Sequence, residues 1–216
     1  MATLLHIDSS LNGDRSHSRA VTAAFTAAWR EEHPDGTVIY RDLAADPVPH
    51  IDATAYYAGY VAPGDRSPEQ QEASVLREQL IEEAESADVI VLGAPLYNWS
   101  IASGLKAWLD HVIAVGRTTM SESPTLAGKH VIVITSRGGS YRPGTPEEGN
   151  DHLEPYLQMV LAEKLGMKPE FILPELTLAP VTPAMASLVP QFEESREDAL
   201  AAARAQGREL AARLGD

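Results

Sequence analysis

Val89-Ile90-Val91-Leu92-Gly93-Ala94-Pro95-Leu96-Tyr97-Asn98-Trp99 is the stretch that decides how this chain folds. Its first half is an unbroken β-branched and aliphatic run, the pattern of a strand buried on both faces of a parallel sheet. Pro95 cannot donate to a ladder, so the strand is expected to stop there and release Leu96 to Trp99 from its carboxyl end. Leu105, Trp108, Leu109, Val112 and Ile113 follow at i, i+3, i+4 spacing and predict a helix with one buried stripe. Polar, aromatic turns at the carboxyl ends of buried parallel strands are where open α/β sheets take ligands.

Toward the N-terminus, Thr3 to Asp8 is a short apolar strand in which His6 reads as a satisfied core residue. It runs into Ser9-Ser10-Leu11-Asn12-Gly13-Asp14-Arg15-Ser16-His17-Ser18. A helix follows, with Val21, Ala24, Phe25, Ala28 and Trp29 on its buried side. A strand, a hydroxyl-rich loop and a helix N-terminus together offer unpaired N–H groups and partial positive charge to an anion. A lone serine would read as a helix cap; four around one turn favour anion binding. The loop lacks the Gly-Lys-Ser/Thr of a Walker motif and the Gly-x-Gly-x-x-Gly of dinucleotide folds, so a monophosphate suits it best.

Thr37 to Tyr40 predicts a second strand. From Leu43 to Arg66 periodicity is lost, and Tyr56, Tyr57 and Tyr60 cluster there, which predicts an irregular lid or subunit contact. Ser67-Pro68-Glu69-Gln70 has the N-cap serine, N1 proline and N3 glutamine of a helix start. The buried stripe Leu76, Leu80, Ala84 and Ala87 then leads to the central strand.

On the other side, Lys129 to Thr135 predicts a fourth strand ending in Ser136-Arg137-Gly138-Gly139. Paired glycines let backbone approach a flat ligand and aim N–H groups at it, or simply make a turn. Leu153 to Leu165 predicts a helix stopped by Gly166, and Glu170 to Leu173 a fifth strand. Positions 174–190 read as irregular, and a last helix is expected over 192–216. Alternating strands and helices give a doubly wound α/β parallel sheet forming one domain over 1–216. Its loops after strands one, three and four converge on one edge. One loop for a phosphate and two flanking a planar body describe flavin mononucleotide, FMN.

Composition narrows the function classes. Seventeen basic against 31 acidic residues leave a formal charge of −14, which repels nucleic acid and anionic membrane surfaces. The chain has no cysteine, which excludes disulfides, thiolate metal sites and cysteine nucleophiles. No metal site is expected. Apolar runs are too short to span a bilayer and Met1-Ala2-Thr3-Leu4 has no basic leader pattern, so a soluble cytoplasmic protein is expected.

Taken in order, Ser10, Ser16-His17-Ser18, Pro95-Leu96-Tyr97-Asn98-Trp99, Leu105-Lys106-Ala107-Trp108-Leu109-Asp110 and Ser136-Arg137-Gly138-Gly139 resemble the FMN-dependent NADH-azoreductase and NADH:quinone reductase family. The resemblance implies a flavodoxin-like five-stranded sheet of order 2-1-3-4-5, bound FMN, NADH or NADPH as donor, a quinone or azo acceptor, and a homodimer. It assigns Ser10, Ser16, His17 and Ser18 to the phosphate, and Leu96, Tyr97, Asn98 and Trp99 to the isoalloxazine. Ser136, Arg137, Gly138 and Gly139 fall on its opposite side, and Asn98 stands as the catalytic residue that orients the flavin edge. Donor and acceptor are expected to use one site in turn. The chain departs from the family at Ala162-Glu163-Lys164-Leu165-Gly166, where relatives tend to have Gly-Phe-Ile-Gly, and in the 174–190 segment. A flavodoxin-type electron carrier is the alternative; the chain length, the tyrosine segment and the extra C-terminal helix favour the enzyme.

Overall fold

The computed structural model describes residues 2–214. Five strands, β1 (Thr3–Asp8), β2 (Thr37–Asp42), β3 (Val89–Gly93), β4 (His130–Ile134) and β5 (Lys168–Ile172), form one all-parallel sheet of order β2-β1-β3-β4-β5. This is the flavodoxin-like arrangement expected from the resemblance. β3 is buried at every position, as its sequence requires. Pro169 sits inside β5, where the ladder spares it because β5 is an edge strand.

Side chains alternate across β1. Leu5 and Ile7 join the core under α3 (Pro68–Ser86), α4 (Ser103–Val112) and the helix that begins at Glu154. Leu4 joins the opposite core under α1 (His17–Glu32) and α6 (Val189–Leu214). Helices α1 and α6 approach closely at Gly207, where a Cβ would lie 2.6 Å from the Phe25 carbonyl oxygen. The capping box predicted for α3 is present: Ser67 Oγ accepts from Gln70 N, and Gln70 Oε1 accepts from Ser67 N at 3.0 Å.

Three segments differ from expectation. The 43–66 stretch contains a helix, α2 (Ala53–Ala58), capped by Asp52, whose Oδ1 accepts from Ala55 N at 2.8 Å. Six residues are too few to show a helical period, and Ala55 and Ala58 are buried in its packing. The helix expected over 153–165 begins as α5 (Glu154–Gln158) and continues as a π-helix over Met159–Lys164, ended by Gly166 at φ +68°. The 174–190 segment is ordered into 3₁₀ turns at Ala179–Val181 and Pro183–Leu188, and α6 starts at Val189 rather than 192. Positions 215 and 216 of the expected last helix, and position 1 of the expected domain, lie outside the described residues.

Candidate active site

The carboxyl ends of β1, β3 and β4 bring three turns to one edge, beside the point where the strand order reverses. In the first, Ser16 is the N-cap of α1, and its Oγ accepts from Arg19 N at 3.2 Å and lies 3.1 Å from Ser18 Oγ. The cap and the anion site are therefore compatible. The N–H groups of His17 and Ser18 point out of the first turn with no partner among the described residues. Burial, then the charge of Arg196 on α6, lower the His17 pKa, so its imidazole is neutral near pH 7. Its ring packs edge-on to Phe192.

Ser10 is buried; its Oγ lies 3.3 Å from the Tyr97 hydroxyl and accepts from Asn12 N. Leu11 N donates to the same Tyr97 hydroxyl at 3.0 Å. Ser10 and Tyr97 thus join the first turn to the second.

Beneath the first turn lies a charged network that the sequence reading did not single out. Arg19 grips Asp42 with both terminal nitrogens at 2.6 Å, and donates to the Ser10 carbonyl at 2.8 Å. Buried Asp8 accepts from Thr22 and from the Tyr40 hydroxyl, and lies 3.2 Å from His6 Nε2. The Arg19 hydrogen bonds, helped by the N–H groups of Ala44 and Ala45, hold the Asp42 pKa at about 2. Burial, then the neighbouring Asp8 charge, pushes Tyr40 up to about 12. His6 is a core residue as expected, bonded through Nδ1 to Thr26.

The second turn is strained. Tyr97 and Ser100 exchange backbone hydrogen bonds around a two-residue loop, and both central residues have positive φ, Asn98 at +48° and Trp99 at +62°. Asparagine tolerates that region; a bulky tryptophan costs about 1–2 kcal/mol there. Trp99 is 53% exposed. His152 N donates to its carbonyl at 3.1 Å, and its indole N–H reaches Glu147 at 3.4 Å. The N–H groups of Leu96 and Tyr97 are spent on Ser136 and Ser100, so only those of Asn98 and Trp99 remain without a partner among the described residues.

In the third turn the Arg137 guanidinium is buried against Asp151 at 2.5 Å and Glu154 at 2.9 Å, and its backbone N–H donates to the Pro174 carbonyl. A buried charge requires such carboxylate partners. The N–H groups of Gly138 and Gly139 have no partner among the described residues. A Cβ at Gly138 would fall 2.7 Å from Leu178 Cδ1, so Leu178, not a ligand, is what crowds that position. Gly139 opens onto free space. The edge thus offers unpaired main-chain donors at His17–Ser18, Asn98–Trp99 and Gly138–Gly139, which fits a phosphate at one end and a flat polar ring at the other. A cleft of about 590 Å³ beside the second turn is lined by Leu11, Tyr97, Asn98, Ile101 and Tyr156. A larger cavity of about 660 Å³ lies between β5 and α6 and reaches Ser140 and Leu176 beside the third turn.

A family model described as a flavodoxin-like fold matches residues 2–207. An FMN-dependent NADH:quinone oxidoreductase from Streptomyces coelicolor is 55% identical over 215 residues, covering 99% of this chain and 97% of its own. The chain belongs to this flavodoxin-like family of FMN-dependent NADH:quinone oxidoreductases. A second member, from Frankia casuarinae, is 47% identical, covering 94% of this chain and 98% of its own. Among solved structures, an azoreductase from Bacillus anthracis superposes with a TM-score of 0.81 at 21% identity, covering 97% of this chain and all of its own. Another B. anthracis structure, an FMN-dependent NADH-azoreductase in complex with FMN, gives 0.73 at 23% identity with both chains fully covered. At those identities the structures testify to the fold. No helix among the described residues is long and apolar enough to cross a membrane.

Proposed function

We propose that this protein is an FMN-dependent NAD(P)H oxidoreductase that reduces quinones and azo compounds, and that the whole chain acts as one cofactor-binding domain. The observation that carries the reading is the set of unpaired main-chain donors gathered on one sheet edge. In this reading Ser16, His17 and Ser18 hold the phosphate through helix N–H groups and hydroxyls, which exchange their mutual 3.1 Å contact for the anion. Arg196 adds positive charge at that end of an otherwise acidic molecule. Ser10 acts through Tyr97, and Arg137 through Asp151 and Glu154, each as a positioning residue. Gly138 and Gly139 aim N–H groups at the polar edge of the ring, where they stabilise added negative charge. Leu96 and Trp99 line its flat body, and the Asn98 amide orients its edge. Bound FMN supplies two-electron hydride chemistry, so that NAD(P)H, a proton and a quinone become NAD(P)⁺ and a hydroquinone.

Donor and acceptor must each come within about 3–3.5 Å of the same reactive centre, so they occupy the site in turn and turnover is ping-pong. The exposed Tyr56, Tyr57, Tyr60 and Trp99 support a two-fold dimer in which a second copy completes the acceptor pocket. A nicotinamide donor makes the cytoplasm the compartment of action. Absorbance of the purified protein tests the reading. A flavin spectrum that bleaches with NADH and returns with a quinone is expected, with parallel double-reciprocal lines; a protein that takes up no FMN overturns it. Sedimentation at micromolar concentration should give twice the chain mass.

A further inference from the structure

The polar loop between β4 and α5 carries Glu147 and Glu148 toward the Trp99 turn, and the charges around them are unequally matched. Of the two arginines nearby, Arg137 is consumed by Asp151 and Glu154, and Arg142 by buried Glu175 at 2.5 Å. Glu147 has no cationic partner among the described residues. One of its oxygens takes both the Trp99 indole N–H at 3.4 Å and the Asn150 amide at 3.0 Å, and the other has no hydrogen-bond partner among the described residues. Glu148 is turned to Gly144 N at 2.7 Å. The negative field is felt within the loop: Tyr141 is raised first by burial, then by Glu147 and Asp151.

We infer that Glu147 makes the Trp99 side of the site favour uncharged acceptors over anionic ones. The inference rests on the proposed function and narrows its substrate class to neutral quinones and neutral azo compounds, at the expense of sulfonated and carboxylated ones. Trp99 is an exposed flat surface on the proposed acceptor side, and a planar acceptor stacked against it lies within a few ångströms of the Glu147 carboxylate. A unit charge at that range, partly screened by water and salt, changes binding of a sulfonate by about three- to tenfold.

The test separates charge from contact. Glu147→Gln keeps an amide oxygen to accept from the indole and removes only the charge. In the FMN-loaded enzyme, kcat/KM is measured for 1,4-naphthoquinone and for its 2-sulfonate. The sulfonate-to-neutral ratio should rise about three- to tenfold in the variant at low ionic strength, with the gain shrinking as salt is added. Glu148→Gln should move it less. A second readout needs no turnover: quenching of tryptophan fluorescence in the flavin-free full chain by iodide and by neutral acrylamide. Trp29 and Trp108 are buried, so the quenchable signal belongs to Trp99, as Trp99→Phe would verify. The iodide-to-acrylamide quenching ratio should rise in Glu147→Gln. An unchanged iodide ratio, or a sulfonate ratio that does not move, overturns the inference. If the iodide contrast appears but no acceptor of either charge is reduced, the proposed function fails while the anion-excluding edge stands.

Discussion

The serine turn after β1 and the Trp99 turn after β3 sit side by side, joined through Tyr97, yet they are held by opposite means. Beneath the serine turn, Arg19, Asp42, Asp8, Tyr40 and Thr22 form a network, buried at Asp8 and Thr22, that grips the loop carbonyl from below. The Trp99 turn has unfavourable dihedrals and is tethered from one polar loop by a backbone bond and one long side-chain contact. Under the proposed function the difference divides the labour of the site. A permanently bound phosphate is best served by donors that do not move. An acceptor that must enter and leave each cycle is better served by a turn whose hold is shallow.

The sharpest way to break this comparison is Arg19→Met. Asp42 and Asp8 would be left without their cation and the Ser10 carbonyl without its donor, a loss of about 2–4 kcal/mol in folding stability. FMN affinity should fall at least tenfold, and Arg19→Lys should recover only part of it, because lysine cannot form the bidentate pair. Urea unfolding and flavin titration measure both; unchanged flavin affinity would make the network a fold element alone.

A smaller effect, of opposite sign, is expected at the other turn. Trp99→Asn replaces a side chain that resists positive φ by one that tolerates it, and should raise stability by about 0.5–1 kcal/mol while lowering acceptor turnover. Thermal melts against steady-state quinone reduction would show the two moving apart. If stability drops instead, the turn is held more firmly than its contacts suggest.

A further test reads pH dependence. Asp42 has a folded pKa of about 2 against an ordinary 3.8. Its stabilisation is therefore complete above about pH 4 and is lost as pH falls toward 2. Asp42→Asn should be less stable than the parent at pH 6 and show a shallower acid limb below pH 4, measured by unfolding at fixed temperature. Parallel acid limbs in the two proteins would show that Asp42 is not the group titrating there.

How much of this was legible in the sequence follows from the distance over which each feature is encoded. β3, β4 and the α3 capping box are written in runs of neighbouring residues, and they fold as read. The three turns were found because strand ends are local signals, and the sheet order brings them together. Within those turns, side-chain directions were not legible. The pairing of Arg137 with Asp151 and Glu154 spans a loop that carries no periodic signal. Arg19 looks like any helix residue, since its partner Asp42 ends a different strand. Glu147 lies in an aperiodic loop, and nothing nearby in the chain announces Trp99 as its neighbour. The signal available for Arg19 was its position at N3 of a helix, where a cation is unfavourable unless paired.

The donors at His17–Ser18 and Gly138–Gly139 are main-chain N–H groups, and this bears on ancestry. Every residue except proline carries the same N–H, so a lineage can replace nearly any side chain around such an edge and still hand its donors down. What descent must preserve is the path of the chain, together with the few pairs, such as Arg19 with Asp42, that bend it. A TM-score of 0.81 at 21% identity shows how far one fold is kept while the lettering differs.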